Sequence, residues 1–139
     1  MTTSKPVKIL FVCVGNTCRS QMAEGFARAH AKGRVEVRSA GTSSMGYVNA
    51  DTVEAMAEVG VDITTQTSKQ LKDEALDWAD VVVTLGCCSA DNLCPVTFKG
   101  AKLDWQIEDP LGRPPVVIRR VRDDIERRVK ALIAELTGA

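Results

Sequence analysis

The chain has 139 residues, 45% of them apolar, which is one ordinary domain (1–139) with enough interior for a core. Its 18 basic and 18 acidic residues balance, so neither nucleic acid nor an anionic membrane is an expected partner, and a monomer is expected. The longest apolar run, near residues 9–14, is too short for a bilayer, and with no small-residue cleavage site it does not read as a secretory signal, so the expected compartment is the cytoplasm. There, five cysteines do not suggest a structural disulfide framework; transient, catalytic thiols are expected.

Lys8–Val14 reads as a buried strand, and Gln21–Ala31 as a helix with Met22, Phe26 and Ala29 inward. Gly25 weakens that helix by about 1 kcal/mol relative to alanine, which suggests close packing there. Between strand and helix runs Cys13-Val14-Gly15-Asn16-Thr17-Cys18-Arg19-Ser20, with Ser20 at the expected N-cap. A loop that closes onto a helix start aims several unpaired N–H groups at one spot, where the helix dipole adds positive potential. Residues Val14, Gly15, Asn16, Thr17, Cys18, Arg19 and Ser20 therefore form a candidate oxyanion cradle, and Arg19 adds a planar fork suited to a tetrahedral anion. Cys13 lies at its base, where amide dipoles and a guanidinium favour thiolate over thiol, so it is the candidate nucleophile. Cys18 reads as a second loop cysteine able to form a protective disulfide with Cys13. The blander reading is a structural cysteine beside a solvated arginine; the strand before, the helix after and Gly15 and Asn16 between weigh against it.

Further along, Val35–Ser39 reads as a second strand closed by Gly41, and Asp51–Val59 as a helix with Val53, Met56 and Val59 inward and Gly60 just past its end. Ser68–Trp78 reads as a short helix. The β-branched run Asp80–Leu85 needs burial on both faces. Cys87–Lys99 is irregular, Ala101–Leu103 is a weaker strand, and Arg113-Pro114-Pro115 marks a rigid turn. Ile118, Val121, Ile125, Val129, Leu132 and Leu136 then recur at helical spacing, so the chain finishes on a long amphipathic helix with a solvated charged face. The rhythm implies an α/β fold: a single-domain three-layer sandwich around a four-stranded parallel sheet, whose ligands bind beyond the carboxyl ends of the strands.

Cys87, Cys88 and Cys94 follow the third strand, so they can approach Cys13. If 87–94 were helical, its outer cysteines would stand about 10 Å apart along the axis, whereas a disulfide needs Cα atoms within about 7 Å. A bridge between them would require the segment to uncoil. The alternatives are three small buried hydrophobes or a zinc site. The second is disfavoured because no Cys-x-x-Cys pair occurs and the single histidine, His30, lies on the first helix, so no metal is expected. Asp109, in the turn Glu108-Asp109-Pro110-Leu111-Gly112, can overhang the cradle as a general acid; ordinary turn chemistry is the competing reading.

The stretch Val12–Ser20 resembles the signature loop of low-molecular-weight protein tyrosine phosphatases. Gln21-Met22-Ala23-Glu24-Gly25, Ser39-Ala40-Gly41, Gln66-Thr67-Ser68 and Asp109-Pro110 resemble more narrowly the arsenate reductases built on that fold, in their thioredoxin-coupled branch, over about residues 7 to 136. The resemblance implies Cys13 as nucleophile, Arg19 as oxyanion clamp, Asp109 as acid, Ser20 tuning Cys13 and Asn16 bracing the loop. It implies Cys87 and Cys94 as a redox pair matching the family's spacing, arsenate as substrate and no bound cofactor. An external thiol, thioredoxin before glutaredoxin or a low-molecular-weight thiol, would regenerate the protein. In the phosphatases an aromatic pair usually follows the Asp-Pro; here Leu111-Gly112 follows, which is closer to the reductases. Two departures stand out. Gly86 sits where a cysteine is expected and Cys88 is extra, so Cys88 is an alternative to Cys87 in attacking Cys13; the second is at the potassium position. Some members of the family hold potassium with an acid just after Thr-Ser; Lys69 stands there instead, so no such ion is expected although Asn16, Glu24, Ser39 and Thr67 remain. The competing activity on the same loop is phosphomonoester hydrolysis through a phosphocysteine.

Overall fold

The computed structural model describes residues 5–138. Strands β1 (Val7–Cys13), β2 (Val35–Gly41), β3 (Val81–Leu85) and β4 (Ala101–Trp105) form one parallel sheet in the order β2-β1-β3-β4. Helices α1 (Arg19–His30), α2 (Ala50–Glu58), α3 (Asp73–Trp78), α4 (Ala90–Leu93) and α5 (Pro115–Thr137) complete the order.

The two-residue period of β1 divides the core. Ile9 and Phe11 face Met22 and Phe26 of α1, Met56 of α2 and Ile118, Val121, Ile125 and Val129 of α5. Leu10 and Val12 face the opposite layer, with Leu76 of α3 and Ala90 just past β3. This is the three-layer α/β sandwich expected from the alternation of strands and helices. Gly25 supplies the close approach: a Cβ there would lie 2.7 Å from Ile63 Cγ2 and 3.1 Å from Met56 Cε. The register aligns Cys13 with Gly41, Val12 with Thr84 and Leu85 with Trp105, so the carboxyl ends of all four strands open on one edge.

Four local expectations are corrected. Ala29 is exposed and Ala27 is buried in its place. Val59 is 40% exposed, because α2 ends at Glu58 and Val59 is its C-cap. The helix expected from Ser68 starts only at Asp73: the Gly41 N–H donates to Lys69 O (2.8 Å) and the Leu71 N–H to Gly41 O (2.8 Å), which holds 69–71 extended along the end of β2. Cys18, not Ser20, stands at the N-cap of α1, since the helix begins one residue before the serine.

Candidate active site

The β1–α1 loop is suspended by its carbonyls. Those of Cys13, Val14, Gly15 and Thr17 accept from the N–H groups of Thr42 (3.0 Å), Ser43 (2.9 Å), Met45 (3.0 Å) and Asn49 (3.1 Å). That of Asn16 accepts from Gln21 Nε2 (2.9 Å), and Ser68 Oγ donates a second bond to Gly15 O (3.1 Å). With every carbonyl turned outward, the N–H groups of Val14–Cys18 find no acceptor among the described residues. Uncommitted amides at a helix start are the physical definition of an anion cradle. Gly41 permits the arrangement, because a Cβ there would collide with the Val14 carbonyl and lie 3.0 Å from Asn16 N.

Asn16 is the internal brace. It is fully buried with φ 54°, a conformation asparagine tolerates better than most residues. Its Nδ2 donates to Ser20 Oγ (2.7 Å) and Ser39 Oγ (3.0 Å), and its Oδ1 accepts from Lys69 N–H (2.7 Å). Ser39 Oγ donates onward to Glu24 Oε1 (2.5 Å), a buried carboxylate paired with Arg28 (2.6 Å). The polarity of this chain is fixed from the carboxylate end. Ser39 gives its proton to Glu24 and so accepts from Asn16; Ser20 also accepts from Asn16, which leaves its own proton for Cys13 Sγ, 2.8 Å away. The Ser20 hydroxyl is therefore aimed to donate to a thiolate, from within the first turn of α1. Lys69 extends its ammonium to Thr67 O (2.5 Å) and to within 3.6 Å of Glu24 Oε1.

Arg19 is buried, and its Nη1 is held by two carbonyls, Leu85 O (2.7 Å) and Ile107 O (3.2 Å). Its Nη2 lies 3.9 Å from Asp109 Oδ2. Asp109 is 56% exposed, and its Oδ1 accepts from the Leu111 N–H (3.0 Å), so the turn reading and the overhanging reading describe one conformation. Gly86 makes room for this contact: at φ +82°, a Cβ would collide with Ile107 O and lie 3.0 Å from Arg19 Nη1.

The structure brings the second cysteine cluster to the same edge. Cys87 Sγ lies 3.7 Å from Val12 O, one residue from Cys13, and is joined to Cys88 as a vicinal disulfide. Cys13, Cys18 and Cys94 are free and buried. Cys87 is bonded to Cys88 and not to Cys94. Cys94 caps α4 instead, packed with Leu10, Val12 and Leu76, and burial pushes its thiol up against the opposing pull of Lys102. Burial likewise raises Cys18, partly offset by the Thr52 and Thr17 hydroxyls. Among the described residues no group of three or more His, Cys, Asp or Glu is arranged to hold a metal.

Chemistry alone did not assign roles to Gln21, Gly41, Gln66, Ser68 or Gly86. Gln66 Nε2 donates to Gln21 Oε1 (2.8 Å) and fixes the side chain that supports Asn16. The signal in the sequence is the short polar and glycine motifs that hold these residues, Gln66-Thr67-Ser68 and Ser39-Ala40-Gly41 among them.

Sheet, amide cradle, buried thiol and clamped arginine together define an oxyanion-binding α/β protein of the cysteine-phosphatase kind. A profile of the low molecular weight phosphotyrosine protein phosphatase family matches residues 8–139. Arsenate reductase 1 of Bacillus cereus is 45% identical over 88% of this chain and 90% of its own. A solved arsenate reductase in a phosphate-binding state superposes with a TM-score of 0.84 at 43% identity, covering 93% of this chain and 98% of that one. A thioredoxin-dependent arsenate reductase of Corynebacterium glutamicum superposes at 0.81 with 31% identity, covering 97% of this chain and 64% of that one. The chain belongs to the low molecular weight phosphotyrosine protein phosphatase family and, within it, groups with the arsenate reductases.

Proposed function

We propose that this protein reduces arsenate to arsenite at the Cys13 loop and returns to its thiol form through an external dithiol of the thioredoxin kind. Arsenate, a phosphate-shaped anion, docks on the Val14–Cys18 amides and the free edge of Arg19. The Cys13 thiolate attacks arsenic while Asp109 gives its proton to the departing oxygen, which leaves as water. A thiolate at Cys87 then attacks the Cys13 sulfur; the sulfur–arsenic bond breaks with its electron pair on arsenic, and arsenite departs. By the family's spacing Cys94 next displaces Cys13, leaving a Cys87–Cys94 bond that the external dithiol reduces by exchange. A reducing compartment such as the cytoplasm would keep the cycle supplied with thiols.

The observation that carries this reading is the Cys87 sulfur 3.7 Å from the Val12 carbonyl, at the end of the strand that bears Cys13. A phosphatase on this loop has no use for a second thiol there. The test separates the two chemistries in one variant. A Cys87→Ser/Cys88→Ser protein should lose arsenate-dependent consumption of NADPH, coupled through thioredoxin and its reductase, down to background. It should keep whatever p-nitrophenyl phosphate hydrolysis the wild type shows. Undiminished arsenate turnover in that variant would contradict the reading.

A further inference from the structure

Three cysteines follow β3, and they differ sharply in how they reach the nucleophile. Cys87 is already at the end of β1. Cys94 is buried beyond the one-turn helix α4, with its N–H tied to Ala90 O (2.9 Å). Asp104 anchors that turn: its Oδ1 accepts from the Ala90 N–H (2.9 Å) and from Thr84 Oγ1 (2.5 Å), pinning α4 to β3 and β4. The turn α4 stands between Cys87 and Cys94, and Cys94 is buried in the apolar layer formed by Leu10, Val12 and Leu76, against which Cys88 packs half-buried. Cys88 is already bonded to Cys87 in the folded chain, whereas Cys94 must leave that layer to reach it.

We infer that Cys88 is a resolving thiol of the reductase cycle: it displaces Cys13 from the Cys13–Cys87 bond and makes Cys87–Cys88 the first stable oxidised form, before Cys94 is engaged. The inference rests on the arsenate-reductase reading and alters its last step. The exchange balances. The Cys88 thiolate attacks the Cys87 sulfur, the Cys13–Cys87 bond breaks, and Cys13 leaves as the thiolate that began the cycle. The two electrons given to arsenic are then missing from the Cys87–Cys88 pair, and an external dithiol restores them. The vicinal pair lies on a half-buried stretch at the sheet edge, whereas Cys94 is covered, so an incoming reductant meets Cys87–Cys88 first. Burial also pushes the Cys94 thiol up, against the opposing pull of Lys102, which disfavours the attacking thiolate.

The experiment uses full-length protein, reduced with dithiothreitol, desalted and given arsenate without reductant. Disulfides are mapped on tryptic peptides, and arsenite is quantified. Residues 73–99 leave as one peptide holding Cys87, Cys88 and Cys94. In Cys94→Ser that peptide should lose two hydrogens, which only a Cys87–Cys88 bond can explain, Cys13 should be free, and one arsenite per chain should appear. Cys94→Ala, which keeps the apolar layer, should behave alike. Cys88→Ser/Cys94→Ser should instead stop at Cys13–Cys87. If Cys94→Ser and Cys94→Ala release arsenite yet retain Cys13–Cys87, the inference is overturned and the reductase reading stands. If the wild type releases no arsenite, the reductase reading falls and takes the inference with it.

Discussion

Asn16 links the loop backbone, the nucleophile and a buried carboxylate through three side-chain bonds. Truncation to alanine removes the donor that the buried Ser20 and Ser39 hydroxyls share and the acceptor of the Lys69 N–H. Asn16→Ala should therefore destabilise the fold by about 2 kcal/mol or more in urea melts and lower turnover beyond what that loss explains, because Ser20 is no longer oriented. A full-rate variant would show that the network serves stability alone. Gly86 makes a sharper case. Its φ of +82° and the Ile107 carbonyl beside it exclude a side chain, and Arg19 Nη1 occupies the remaining space. Gly86→Ala should cost about 1–3 kcal/mol in strain and weaken phosphate or arsenate binding by displacing Arg19. Gly33→Ala, at φ +76° but facing open space, should cost about 1 kcal/mol and leave binding unchanged. Equal binding by both variants would remove Gly86 from the site.

At the scale of elements, α5 braces α2 through Arg119 and Arg122, which share Glu58: Arg119 Nε and Nη2 donate to it at 3.1 and 2.9 Å, and Arg122 Nη1 at 2.8 Å. The Arg119 bonds, then those from Arg122, hold the Glu58 carboxyl below the usual carboxylate range. A carboxyl depressed in the folded state contributes stability above its unfolded pKa, and that contribution is lost as pH falls through the folded value. Thermal melts should show Glu58→Gln shedding part of the acid-side fall in Tm while gaining nothing at alkaline pH; an unchanged acid slope would mean solvent screens the pair completely. The stretch Ser68–Trp78, expected as one helix, is helical only from Asp73. Its polar opening is locally compatible with helix, but Gly41 and Asn16, far away in sequence, take the Lys69 and Leu71 backbone groups. Long α5 and β3 were legible because each carries its own burial pattern. Ser20, expected at the N-cap, stands two positions beyond it, because serine suits a helix cap and a buried thiol partner equally well.

Across the whole molecule, parallel registry carries the β1 loop, Leu85 and the β4–α5 turn to one edge, and residues far apart in sequence converge there. The cradle was readable from eight consecutive residues because its parts are local. The orientation of Ser20 by Glu24, the carbonyls that hold Arg19 and the Cys87–Cys88 bond were not, since each depends on which backbone group tertiary packing delivers. The central claim is that oxidation taken from the anion ends on a thiol pair of the protein. It is tested most directly by counting thiols on the fully reduced chain before and after one exposure to arsenate without reductant. The account predicts that five titratable thiols fall to three as one arsenite appears per chain. Five thiols persisting after arsenate has been bound and released would contradict it.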